Sequence, residues 1–460
     1  MIARILRKVF GRRRAPATPR ILPLEQHGIT RERISPCALK VCRTLREGGY
    51  AAFVVGGAVR DMLLGRAPKD FDVATDATPD QIRALIRRSR IIGRRFRIVH
   101  VYCGGETIEV TTFRAINPQG EEDEAERVTA EDGLILRDNV FGTHAEDAAR
   151  RDFTVNALYY DPERQEIWDW HGGVEDARRR VLRMIGDPAT RYKEDPVRML
   201  RAARFAAKLD FHIDPATRAP IPQLAHLLAR IPAARLFDEM MKLLLSGHAE
   251  RGVHQLRAEG LHHGVLPMLD AILDDPARQA FLHAALHDTD ERVRRGQSAS
   301  PAFMLAGLLW FDMRAQWRAR EAAGEPPLAA LHAAMEETLE RQRERLAFPR
   351  RFDGMIKEIW QLQPRFESRS GARPYRLLAH PRFRAGYDFL LIRARGGDAP
   401  QELADWWTRF QDADEATRAA MLLPAGAEGP RKRRRRKRRP RGAETPTAAT
   451  VQEQLHAAAG

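Results

Sequence analysis

Cysteine is scarce in this chain of 460 residues: only Cys37, Cys42 and Cys103 occur. The number is odd, and the spacing suits neither a disulfide framework nor a zinc site. Long apolar runs are missing too. No stretch approaches the roughly 20 residues that span a bilayer, and no apolar signal-peptide core stands near Met1. No tandem repeat is present. These absences exclude a secreted disulfide scaffold, a helical membrane protein and a repeat array. They predict a cytoplasmic protein of more than one domain, roughly three at about 150 residues each.

What is abundant is positive charge, and it is unevenly spread. The formal net charge is +15. Residues 1–14 hold six basic and no acidic residues, and residues 431–441 hold ten basic residues in eleven. With those sixteen taken from the 77 Lys and Arg, 61 remain against 62 Asp and Glu, so the body carries about −1. The run Arg431, Lys432, Arg433, Arg434, Arg435, Arg436, Lys437, Arg438, Arg439 cannot bury an apolar face. It reads as a disordered segment that seeks a polyanion, and beside phosphate chemistry nucleic acid fits it better than a mere solubility tail does.

The chain between the arms reads as an α/β head followed by helices. Ser35-Pro36 opens a helix that Gly48-Gly49 ends. Strands are expected at 51–55 and 70–74, with a short helix at 58–64 between them. Thr78-Pro79-Asp80 caps a further helix. Two strands, 97–102 and 107–114, flank the turn Gly104-Gly105. Residues 117–133 are polar and acidic and predict a mobile loop. From Tyr192 onward the periodicity is helical. His262-His263 and His287-Asp288 lack the spaced partners of a metal phosphohydrolase. Leu403, Trp406, Trp407 and Phe410 read as helix core rather than a base-stacking platform.

The chemistry concentrates in residues 54–72, VVGGAVRDMLLGRAPKDFD. A bare Asp-x-Asp is usually a solvated strand end. Here an apolar strand, the turn Gly56-Gly57 and Arg60 precede Asp70 and Asp72 in order. On one strand those two carboxylates share a face, where they repel unless a cation sits between them. Mg²⁺ is the usual partner, and it brings a polyphosphate. Glu109, on a neighbouring strand, can add a third carboxylate. Arg150-Arg151-Asp152-Phe153-Thr154-Val155-Asn156 packs phosphate-matching donors beside an amide. Asp195 and Arg198, at i and i+3, are expected on one helix face with Arg201 a turn on. An Asp beside an Arg can read a base edge. The bland alternative is a surface salt bridge worth under about 1 kcal/mol.

The segments VVGGAVRDMLLGRAPKDFDVATDATPDQI, RRDFTVNALYYD and RYKEDPVRMLRAARFAAKL resemble the class II nucleotidyltransferases, which include bacterial poly(A) polymerases and tRNA CCA-adding enzymes. The linking segments IIGRRFRIVHVY, IEVTTFR and IPAARLFDEMMKLLLSGHA, with the basic tail, are more similar to the poly(A) polymerase branch. The resemblance spans most of residues 25–410. It implies an α+β fold: a basic arm (1–30), a head with a small mixed sheet (31–175), a helical neck that binds base and RNA (176–245), a helical body (246–424) and a tail (425–460). It implies ATP as substrate and two Mg²⁺ held by Asp70 and Asp72, with Glu109 and Asp152 as further catalytic carboxylates. Gly56, Gly57, Arg60, Arg151, Asn156, Asp195, Arg198 and Arg201 become the nucleotide site. The implied partners are RNA 3′ ends and RNA-decay machinery, for a monomeric enzyme. A CCA-adding enzyme and a catalytically dead RNA-binding protein are the alternatives.

Overall fold

The structure is a computed structural model that describes residues 18–93, 97–115, 127–129, 135–138, 140–262 and 275–424. The tail 425–460, with its basic run 431–439, lies outside the described residues, as do residues 1–17 of the N-terminal arm and His263. No helix among the described residues is long and apolar enough to cross a membrane.

The head is built on one mixed sheet. Its strands are β1 (Arg20–Leu22), β2 (Ala52–Val55), β3 (Asp72–Thr75), β4 (Ser89–Ile92), β5 (Ile98–Cys103), β6 (Glu106–Thr112), β9 (Leu158–Asp161) and β10 (Glu166–Asp169). Between them Arg127–Thr129 (β7) pairs with Ile135–Asp138 (β8) in a separate ribbon, so part of the stretch expected as loop is strand. The sheet order is β1-β10-β9-β2-β3-β6-β5-β4, and β3 runs parallel to β6 while every other neighbour pair is antiparallel. Strand β2 is central, and all four of its residues are buried. Ala52 and Val54 face one core with Val73, Val99, Val101, Ile108 and Val110. Phe53 and Val55 face a smaller aromatic cluster on the opposite side, with Ala74, Phe113, Tyr159 and Trp170.

Helices α1 (Pro36–Glu47), α2 (Gly57–Leu63) and α3 (Pro79–Leu85) supply the larger core. Their starts follow the local chemistry. Ser35 Oγ accepts from the N–H groups of Cys37 and Ala38, and Thr78 with Gln81 forms a reciprocal capping box. The turn between β5 and β6 uses Gly104 and Gly105 at positive φ, 59° and 89°. One expectation fails here. Cys37 and Cys103 are disulfide-bonded across 66 positions, tying the start of α1 to the β5–β6 turn. Count and spacing cannot reveal that a hairpin turn passes over a helix start.

Beyond the head the described chain is mostly helical, with one short parallel ribbon of Val181–Leu182 and His212–Ile213. Helix α4 (His144–Arg150) packs on the sheet, and α5 (Pro188–Glu194), α6 (Val197–Leu209) and α7 (Ala233–Leu244) follow. Ten of the thirteen residues of α6 are buried, among them Leu200, Phe205 and Leu209. A large core extends from Phe153 to Ile392 through these helices, and a separate one holds Leu403, Trp406, Trp407 and Phe410 as expected of helix core. Asp288 is ion-paired with Arg395, and no group of three His, Cys, Asp or Glu forms a metal site among the described residues.

Candidate active site

A cleft of about 610 Å³ opens where the end of β2 and the start of β3, at the middle of the sheet, meet α6. It is lined by Gly56, Gly57, Arg60, Asp70, Asp72, Arg151, Asp152, Asn156, Asp195, Arg198 and Arg201, so eleven of the twelve residues singled out in the body of the chain meet in one place. Glu109 is the exception. It stands beside Asp72 in the β3–β6 register, half-exposed, with its Oε1 3.3 Å from His100 Nε2. Asp70 precedes β3 rather than lying in it, which corrects the expected strand start; both aspartates still face the cleft.

The floor of the cleft is short of cations. Burial, then the neighbouring Glu109 and Asp70 carboxylates, push Asp72 up to about 6, although Arg151 opposes the shift. Gly56, at φ 74°, caps α2 and hydrogen-bonds through its N–H to Leu158 O at 3.0 Å. A Cβ there would meet the Arg151 guanidinium at 3.5 Å in a backbone conformation that L-residues avoid, so the turn needs glycine.

The wall is saturated with ion pairs. Asp152 accepts from Arg201 Nη2 at 2.7 Å and Nε at 2.9 Å, from Asn156 Nδ2 at 3.0 Å and from the Phe153 N–H at 2.7 Å. Burial alone would raise its pKa, but Arg201 and these donors override it and hold the carboxyl well below the usual range. Asn156 Oδ1 in turn accepts from Arg60 Nη1 at 2.5 Å. Arg151 donates to Tyr159 Oη at 2.8 Å and pairs with Asp147 at 3.2 Å, while Tyr159 donates to Asp147 at 2.6 Å. Desolvation works against the Asp147 anion, but Arg151 and Arg150 outweigh it and draw its pKa down to about 2.

Asp195 and Arg198 both line the cleft, but they do not share a helix. Asp195 ends α5 in an extended conformation, and Pro196 starts α6. Asp195 Oδ2 accepts from Arg235 on α7 at 3.1 Å. Arg198 Nη1 is held by Arg191 O at 2.8 Å and Glu194 at 3.1 Å. Each member of the pair is thus fixed by a different neighbour.

Arg150, of the expected phosphate-matching run, also lines the cleft, as do Arg114, Arg204, Phe205 and Lys242, which sequence reading did not place in the site. Arg204 continues the three-residue spacing of Arg198 and Arg201, a signal that was visible. It pairs with Glu239 on α7. Phe205 lies under the guanidinium groups of Arg204, Arg201 and Arg60 at 4.2, 5.2 and 5.3 Å, a platform that only the fold assembles.

The chain is similar to known proteins along nearly its whole length. Residues 52–183 match the pattern described as the poly A polymerase head domain, residues 210–273 a probable RNA and SrmB-binding site of polymerase A, and residues 323–441 the polymerase A arginine-rich C-terminus. Poly(A) polymerase I of Salmonella typhimurium strain LT2 is 44% identical over 454 residues, covering 95% of this chain and 97% of that protein. The chain belongs to the bacterial poly(A) polymerase family. Poly(A) polymerase I of Haemophilus influenzae is 41% identical, covering 93% of this chain and 96% of its own. The CCA-adding enzyme of Bacillus pumilus, 38% identical, covers only 55% of this chain and 60% of its own. A solved structure, the Bacillus stearothermophilus CCA-adding enzyme in complex with CTP, is 28% identical with a TM-score of 0.53, and the match covers 82% of each chain. The nucleotidyltransferase head and helical remainder expected from the sequence are therefore the fold observed.

Proposed function

We propose that this cleft transfers AMP from ATP to the 3′-hydroxyl of RNA, without a template and with release of pyrophosphate. The observation that carries the reading is the meeting of Gly56-Gly57, Arg60, the two aspartates, Asp152 and the Asp195/Arg198 pair in a single cleft. The family supports it, because in sequence its poly(A) polymerase members match nearly the whole chain while the CCA-adding enzyme of Bacillus pumilus matches about half.

The donor set suits Mg²⁺ held by Asp70 and Asp72, with Glu109 near. All are hard oxygen ligands, and Asp72 resists ionising without a cation close by. No three such side chains converge as a closed site among the described residues, which fits a metal bound through one or two carboxylates and completed by substrate phosphates. Two Mg²⁺ ions, when bound, would lower the pKa of the attacking hydroxyl and stabilise charge on the transferred group.

The chain's own residues supply position and neutralisation. Arg60 and Arg151 sit where a triphosphate on the Gly56-Gly57 turn would carry its charge. Asp152, pinned by Arg201, stays ionised and presents a fixed acceptor to the ribose side of the cleft. Phe205, buried beneath the guanidinium groups of Arg60, Arg201 and Arg204, supports those arginines at the cleft. Arg198 and Asp195, anchored separately, present a donor and an acceptor to the adenine edge.

Incubating the protein with a short RNA and each nucleoside triphosphate in turn tests the reading. A long ladder with ATP alone is expected; a stop after CCA, or no extension, overturns it. Arg198→Ala should lower ATP-over-CTP selectivity about 10-fold, because one bidentate contact is worth about 1–3 kcal/mol of discrimination. Unchanged selectivity with a slower rate would make Arg198 a phosphate-binding or structural residue.

A further inference from the structure

Four strands of the head bring side chains into one row across the open face of the sheet. Asp72 on β3 is in register with Glu109 on β6, Glu109 with His100 on β5, and His100 with Arg90 on β4. Paired residues of adjacent strands point to the same face, so a line runs from the floor of the cleft to the edge of the sheet. The alternation of burial agrees. Val99, Val101, Ile108 and Val110 face the core beneath, while His100 and Glu109 stay partly open and Tyr102 is 46% exposed. Three inter-strand spacings of about 4.8 Å put Arg90 about 14 Å from Asp72.

The far end of the row is basic and unpaired. Arg88, just before β4, accepts the Tyr102 N–H on its carbonyl at 2.9 Å, so it lies beside that ring. Among the described residues neither Arg88 nor Arg90 makes an ion pair or a side-chain hydrogen bond, although both are exposed. Other guanidinium groups of the head, such as Arg46, Arg60 and Arg151, are paired with carboxylates. The Tyr102 ring meets His100 edge-on at 6.5 Å. An exposed aromatic between free arginines, continuous with a nucleotidyl-transfer floor, has the chemistry of a single-strand track: cations for phosphates and a ring face for a base.

We infer that the sheet face formed by His100, Tyr102, Arg90 and Arg88 is the track that holds the RNA just upstream of its reacting 3′-hydroxyl. The terminal ribose sits over Asp72 and Glu109, the preceding phosphates cross His100 toward Arg90 and Arg88, and a base stacks on Tyr102. The inference rests on the reading of the cleft as an RNA-extending site. It differs from the basic tail in position: the tail is remote in sequence and sequence-blind, whereas this face orients the strand at the point of chemistry.

The test uses the full-length chain with Tyr102→Ala and the double variant Arg88→Ala/Arg90→Ala, all exposed positions away from the cleft. The KM for a short single-stranded RNA, the KM for ATP and single-nucleotide kcat at saturating RNA are measured together with the salt dependence of RNA binding. Tyr102→Ala should raise the RNA KM about 10-fold, in line with the loss of one base stack. The double variant should flatten the slope of log affinity against log salt by about 1.4, since each neutralised single-strand phosphate contributes about 0.7. The KM for ATP and kcat should stay as in the wild type, and thermal melting controls for folding. An unchanged RNA KM and salt slope in a wild-type protein that does extend RNA would overturn the track alone. So would a lower kcat with an unchanged RNA KM. Failure of the wild-type protein to extend RNA at all would instead overturn the function from which the track is argued.

Discussion

The two sides of the cleft treat buried carboxylates in opposite ways. On the wall, Asp152 is enclosed by Arg201, Asn156 and a backbone N–H, and its negative charge is fully met by the protein. On the floor, Asp72 is nearly as enclosed but finds Glu109 and Asp70 as neighbours, and burial with their repulsion pushes its pKa up to about 6. A carboxylate answered by internal cations is part of the scaffold and of substrate positioning. A carboxylate left unanswered in a cleft is a place for an external cation. Both are Asp residues in dense charged motifs, and the fold shows what sets their environments apart: Arg201 beside Asp152, Glu109 and Asp70 beside Asp72.

The largest expected effect comes from the floor. Asp72→Ala or Asp70→Ala should reduce nucleotide addition by about 10³-fold or more, because a metal-holding carboxylate is lost. Melting temperature in metal-free buffer should not fall, and for Asp72 it should rise slightly, since a repelled charge is removed. Either variant extending RNA at near wild-type rates with Mg²⁺ would erase the contrast between floor and wall.

The wall should respond in the reverse manner. Arg201→Ala leaves Asp152 buried without its cation, a change that typically costs about 3–5 kcal/mol. A clear drop in denaturant midpoint is expected along with lost activity. Adding Asp152→Asn to Arg201→Ala should recover part of the stability but none of the activity, which separates the structural from the functional share. A single variant as stable as the wild type would show that the wall is not pre-organised by this pair.

How much of this was legible in the residues depended on range. The helix start at Ser35-Pro36, the capping box at Thr78 and the Gly104-Gly105 turn are local chemistry, and they form where the sequence places them. The cleft residues were legible because their types are rare together: Gly-Gly before Asp-x-Asp, and Arg-Arg-Asp before Asn. Contacts set by tertiary arrangement were not. Asp195 and Arg198 lie three apart, yet Pro196 breaks the helix between them and hands Asp195 to Arg235, 40 positions on. The Cys37–Cys103 bond spans 66 positions and depends on a hairpin crossing a helix start. Phe205 has no polar signal at all; its role as a platform comes from three arginines delivered by two helices.

The smallest effect sharpens the comparison most, because it reads the floor without catalysis. The Asp72 carboxyl ordinarily titrates near 3.8, and in the folded chain near 6. The folded state therefore holds that proton more tightly than the unfolded state. Its contribution to stability is fully present below pH 3.8 and is lost as pH rises through 6, a swing of about 2–3 kcal/mol. Above pH 6 the ionised, repelled carboxylate is in place, and Mg²⁺ binds it without displacing a proton; at pH 5 the proton competes. Saturating Mg²⁺ should accordingly raise the melting temperature more at pH 8 than at pH 5. Asp152, held ionised far below this range by Arg201, adds nothing to that difference. In Asp72→Asn the gap between the two pH values should close, while in Asp152→Asn it should persist on a lower baseline. Equal Mg²⁺ shifts at pH 5 and pH 8 in the wild-type protein would mean that the ion does not sit against Asp72, and the floor would then be a charged surface like any other.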